Sequence, residues 1–205
     1  MFALVESGSI TKMLNGNKGI TLNNLQYPRA IYTLWTEAER NALGIYSIVY
    51  DDTNKKDEKW YINTNQSYAF ADGTVTASYG TATAKAHADT LWTQQDSDDG
   101  DLPDDKEVGD VKVEGLKTTL IRTLKQQVAG ILANTDWYIT RNAEKSTAIP
   151  SAISTHRDAV RTKQASMETA ITNASNTPAL ETLYTYTTTD GVQSRPLGEL
   201  PTLES

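Results

Sequence analysis

The run QQDSDDGDLPDDKEVGD (94–110) constrains the architecture most, because no single apolar pattern survives across it. It is acidic, broken by Gly100, Pro103 and Gly109, and nearly free of large apolar side chains. Such a segment buries too little surface to order itself unaided. Before it, apolar residues come in short strand-like runs; after it, they recur every three or four residues. This division predicts an α+β chain. It has an N-terminal module over 1–85, a linker over 86–110 that turns acidic from 94, a helical hairpin over 111–175 and an extended tail over 176–205.

The first module carries strand candidates FALVE (2–6) and ITKML (10–14) on either side of an SGS turn. Thr36 followed by Glu39 has the spacing of a helix capping box, and Gly44 stands where a helix ends in left-handed backbone. Residues 45–52, 59–65, 66–71 and 74–83 are rich in β-branched and aromatic side chains and predict a β meander, with Asp72-Gly73 as one turn. Residues 84–93 predict a short helix presenting Leu91 and Trp92. The aromatic residues from Tyr27 to Tyr79 read as core in a module short of Leu and Ile. Rings left exposed would instead suit a carbohydrate or a protein partner.

Beyond the acidic run, Val113, Leu116, Leu120, Leu124, Val128 and Ile131 form one stripe of an amphipathic helix. A second helix starts at Pro150, a residue favoured at a first helical position. Its Ile153, Val160 and Met167 repeat every seven residues beside small alanines, a pattern that packs antiparallel on the first helix. Asn176-Thr-Pro178 ends it. The remaining Thr/Tyr-rich tail lacks the apolar residues for its own core and reads either as disordered or as an arm laid on a neighbouring subunit.

Composition narrows function. Hydrophobic residues make up 38% and mean hydropathy is −0.50, which suits modules that complete their burial against partners. A net charge of −7 with no Lys/Arg cluster opposes nucleic-acid binding. The absence of cysteine excludes disulfides and thiol catalysis. No apolar run reaches membrane-spanning length, and Met1–Glu6 lacks the basic and apolar regions of a signal peptide, so a soluble protein made in the cytoplasm is expected. His87 and His156 are the only histidines and lie in different modules, and no nucleophile elbow, phosphate loop, dinucleotide fingerprint or zinc-protease motif occurs. No enzyme activity, cofactor or metal is expected. Asp96, Asp98, Asp104 and Glu107 fall at positions 1, 3, 9 and 12 of a calcium loop, but Gly100 is one place early and Pro103 occupies an apolar position. A solvated acidic loop is the favoured reading.

The densest stretch is NTDWYITRNAEKSTAIPSAISTHRDAVR (134–161). Thr135 and Asp136 read as caps. Trp137 and Tyr138 fill the space where two helices diverge, and Pro150 starts the return helix. Arg157 and Arg161 stand one turn apart, placed to pair with Glu144 or Asp158 or to hold a partner's carboxylate. With Arg141, these residues are candidates for hairpin structure or for partner contact.

The same stretch resembles the C-terminal helical segment of tailed-bacteriophage tail proteins, most of all the tail-fibre assembly family. The matching residues are Thr135, Asp136, Trp137, Tyr138, Arg141, Ala143, Glu144, Ile149, Pro150, Arg157 and Arg161, within a likeness covering about 116–165. Ser146 stands where that pattern usually turns with glycine. The resemblance implies tail-fibre folding or attachment, or incorporation in the virion, and brings no catalytic residues. Its implied partners are other phage tail proteins, with a homo-oligomer or multi-copy assembly. Synthesis is expected in the host cytoplasm and residence in the virion tail. The resulting expectation is a structural component of a tailed-phage virion. A non-virion assembly chaperone and a carbohydrate- or receptor-binding module are the alternatives.

Overall fold

A computed structural model describes residues 1–64 and 66–203, and the chain forms two units, Met1–Thr83 and Ala84–Ser205. The class is α+β: a strand-rich sheet lies in the first unit and the long helices lie in the second.

In the first unit, β1 (Phe2–Glu6) and β2 (Ser9–Leu14) form a hairpin through Ser7 and Gly8, both at positive φ. Such paired left-handed residues match the right-handed twist of the strands they join. A smaller hairpin follows, β3 (Ile20–Leu22) with β4 (Leu25–Tyr27), and then a single 3-10 turn over Arg29–Tyr32. The capping box forms at α1 (Glu37–Ala42): the Thr36 hydroxyl accepts from the Glu39 amide, and the Glu39 carboxylate accepts from the Thr36 amide at 2.7 Å. Gly44 ends that helix at φ 77°, and a Cβ there would strike the Val5 carbonyl oxygen.

The remaining strands are β5 (Ile45–Asp51), β6 (Tyr61–Ile62), β7 (Ser67–Ala71), β8 (Thr74–Ser78) and β9 (Thr83–Ala84). β6 and β9 pair with each other, and the main sheet has the order β2-β1-β5-β8-β7. This is not the expected meander, because β8 lies parallel to β5 and β7 is displaced to the edge. Burial explains the choice. Val75 and Ala77 on β8 are wholly buried and need a neighbour on each side, whereas no residue of β7 is fully buried. Alternate residues feed two cores. Leu4, Leu14, Ile20, Ile31, Tyr32 and Ile45 form one; Ala3, Val5, Ile48, Val75 and Ala77 form the other. Of the aromatics, Tyr32, Trp60 and Tyr61 are buried, while Tyr50 is half exposed.

The second unit begins earlier than the acidic run suggests. The helix expected over 84–93 is absent, and β10 (Thr90–Leu91) there pairs with β11 (Val111–Val113). The acidic run is therefore an excursion closed at its base and not a linker between domains. It contains α2 (Gln94–Asp98), whose capping box joins Thr93 to Asp96. Reciprocal backbone bonds, Trp92 N to Asp110 O and Gly109 N to Trp92 O, clamp its two ends at 2.8 Å each.

Residues 86–89 are not helical, and their polar groups serve instead to cap the first long helix. At the start of α3 (Leu116–Ala133), Asp89 accepts from the Gly115 amide at 2.7 Å and from the Thr118 hydroxyl at 2.8 Å. The carbonyls of Ala86 and His87 take the next two amides, those of Leu116 and Lys117. Helical N–H groups that would otherwise lack partners are thus satisfied from another part of the chain. Gly115 is required here, since a Cβ would collide with the Ala88 backbone.

After α3 comes α4 (Asp136–Lys145), then α5 (Ser151–Asn173) with Pro150 at its N-cap, then α6 (Thr177–Tyr184). The predicted stripe of α3 buries Leu120, Leu124 and Val128, and α5 buries Ile153, Val160 and Met167. The two helices run antiparallel. Lys117 at the start of α3 reaches Thr172 O near the end of α5, and Arg157 near the start of α5 reaches Leu132 O.

The tail is not extended throughout. Asn176 caps α6 by accepting from the Ala179 amide, Pro178 lies in its first turn, and Leu180 is wholly buried. Leu197 is buried as well, so two well-placed leucines dock a segment that has no core of its own. Between them β12 (Thr187–Thr189) and β13 (Val192–Ser194) form an exposed hairpin around Asp190-Gly191. No helix among the described residues is long and apolar enough to cross a membrane.

Candidate functional site

The stretch singled out in the sequence divides into an inner anchor and an outer face. The anchor is Arg157, with its side chain only 8% exposed. One terminal nitrogen donates to Leu132 O at 2.8 Å and to Thr135 Oγ1 at 2.6 Å; the other meets Asp136 Oδ1 at 2.8 Å. Thr135 Oγ1 itself donates to Leu132 O, which closes a small network at the α3–α4 junction. Thr135 is the N-cap residue of α4, but its hydroxyl serves this network and makes no capping bond. Arg157 therefore pairs with Asp136, not with Glu144 or Asp158. Arg161 lies on the surface with Asp158 at 3.4 Å, and Glu144 is exposed on α4.

Trp137 does not fill the turn. Residues 136–145 form a helix of their own, α4, and Trp137 remains 51% exposed on it. Its ring stacks against Tyr138 with centroids 3.8 Å apart. The Arg141 guanidinium lies 4.8 Å from the Trp137 ring centre and 5.6 Å from that of Tyr138. Ile139 beside them is 40% exposed. An α-helix places residues 137 and 141 on one side, so the cation covers the aromatic pair by ordinary helical spacing. Arg141 Nε is buried with no hydrogen-bond partner among the described residues. The result is an ordered patch of two rings, a planar cation and an aliphatic side chain, a combination typical of contact surfaces.

Ser146 ends α4 in left-handed backbone, φ 53°, with its amide on Asn142 O. His156 is buried in α5, and His87 lends its carbonyl to α3. Among the described residues no three His, Asp or Glu side chains converge as metal ligands. Within the calcium-like spacing, Asp96 is already committed. It accepts from the Thr93 amide and hydroxyl and pairs with Lys112, whose ammonium and the Thr93 donors hold the carboxyl down at about 2.

A second cluster was not visible from sequence spacing. Arg195 pairs with Glu199 and lies over Tyr184 and Tyr186, with ring centres 5.5 and 5.1 Å away. Tyr186 donates to the same carboxylate at 2.6 Å, which holds its phenol proton above the usual range. Burial does the same for Tyr184. This cluster fastens Glu199 to the base of the exposed hairpin. Comparison with protein-family models, curated proteins and solved structures returns no match.

Proposed function

We propose that this chain is a structural component of a tailed-phage virion, in the tail, its tip or the fibre attachment, working through contacts between subunits. The observation that carries the reading is the Trp137–Tyr138–Arg141 face of α4. A buried arginine fixes the helix from behind, and the helix turns its largest aromatic residue to solvent. Half-exposed aromatics held rigidly lose little conformational entropy when a partner covers them, which favours a lasting contact. The likeness of residues 116–165 to tail proteins supplies the kind of assembly.

The test is mass spectrometry of purified particles. Several copies per particle are expected, with fewer in a Trp137→Ala variant that folds normally. Particles without the protein would remove the virion role and leave the assembly chaperone as the better account.

A further inference from the structure

The first unit has an open pocket of about 450 Å³ lined by the end of β2, the loop after it and the start of β3, within the size range of small-ligand sites. Its floor is part of the core: Leu14, Ile20 and Tyr32 are all buried. Its wall includes the loop Asn15–Gly19, which the surrounding structure pins. A Cβ at Gly16 would lie 3.2 Å from the Phe2 ring and 3.4 Å from that of Tyr32, so the loop lies flat on an aromatic pair whose centres are 5.0 Å apart. At Gly19 the Tyr27 carbonyl oxygen leaves no room for a side chain. Glycine is therefore needed where the pocket wall meets the core.

The charge on this wall is of one sign. Lys12 on β2 and Lys18 on the loop line the pocket, and no carboxylate does. Among the described residues neither lysine makes an ion pair, in a chain whose acidic side chains outnumber its basic ones by 26 to 19. The rest of the lining mixes polar groups, Asn15 and Thr21, with the apolar surface of Met13 and Tyr32.

We infer that this pocket binds a small hydroxylated acid of monosaccharide size, its phosphate or carboxylate between Lys12 and Lys18 and its hydroxyls toward Asn15 and Thr21. Two unpaired ammonium groups select for an anion, and the amide and hydroxyl side chains suit a polyol beside an apolar ring. The site lies wholly in the first unit and does not rest on the subunit-contact reading.

Calorimetric titration of the full chain with glucuronate, glucose 6-phosphate, glucose and inorganic phosphate tests the assignment. Saturable binding of at least one acidic sugar is expected, roughly tenfold or more tighter than glucose and tighter than phosphate alone. The preferred acid identifies the anionic group. A Lys12→Gln/Lys18→Gln double variant should lose roughly tenfold in affinity, while Lys55→Gln, outside the pocket, should match the parent. Glucose binding as tightly as the acids would overturn the inference, as would phosphate alone equalling the sugar phosphate. No saturable binding by either acidic sugar, or an equal loss in Lys55→Gln, would overturn it too. The substituted lysines are solvent-exposed, and a thermal melt of each variant checks that the fold is retained.

Discussion

Replacing Arg157 by Met keeps the aliphatic stem in place and removes only the guanidinium. The lost contacts are the bonds to Leu132 O and Thr135 Oγ1 and the pair with Asp136. Hydrogen bonds from a charged donor contribute about 1.5–3 kcal/mol each, but burying the guanidinium costs part of that back, and its Nε has no partner among the described residues. The Asp136 carboxylate is 60% exposed, so its share is discounted to about 1 kcal/mol at most. The balance is a loss of about 2–3 kcal/mol, equivalent to a fall in melting temperature of roughly 10 °C for a unit of this size. Urea and thermal unfolding of the parent, Arg157→Met and Asp136→Asn would measure it, with amide exchange over 134–146 reporting on α4. Asp136→Asn should cost less than about 1 kcal/mol. The reasoning fails if Arg157→Met lies within about 0.5 kcal/mol of the parent. It fails equally if Asp136→Asn matches Arg157→Met, for then the ion pair, and not the carbonyl and hydroxyl anchor, would hold the junction.

Ser146→Gly should stabilise the second unit by about 0.5–1 kcal/mol in denaturant titration, because glycine adopts the left-handed α4 terminus without strain. Asp89→Ala should cost about 1–2 kcal/mol and speed amide exchange at Gly115 more than at mid-α3; uniform exchange changes would argue against a remote cap. Gly115→Ala should be worse than Asp89→Ala by the same measurement, since the added methyl meets backbone and not a movable side chain. Asp96 titrates at about 2 in place of 3.8, so its contribution is fully present above 3.8 and disappears as pH falls through about 2. Carboxyl NMR should give that midpoint and show it rising in Lys112→Gln; a parent midpoint near 3.8 would contradict the pairing.

The legible parts of the fold were those set by neighbouring residues. The Thr36–Glu39 box, the turn at Asp72, the α3 stripe and the Pro150 start each depend on positions within a few residues. Parallel pairing of β5 with β8 was illegible because strand order depends on which strands must be covered on both sides. The acidic run misled because its order comes from its ends, where β10 meets β11, and not from its own apolar content. At the α4 face, sequence brought the right residues together but reversed their sides. Arg157 was expected on a flank and is buried, while Trp137 was expected inside and is exposed. Charge and size alone do not say which residue turns inward.

The bond from Thr177 Oγ1 to Lys85 O spans 92 residues and joins the start of the second unit to its last helix. During synthesis the first unit has all its strands once β9 has left the ribosome. The second has to hold its opening segment, and with it the cap on α3, until α6 arrives from the far end of the chain. Vectorial synthesis therefore favours maturation of the N-terminal unit first. If closing that long loop limits folding of the second unit, changes at Thr177 should slow refolding in stopped-flow more than equally destabilising changes within α3, and equal slowing would argue against it.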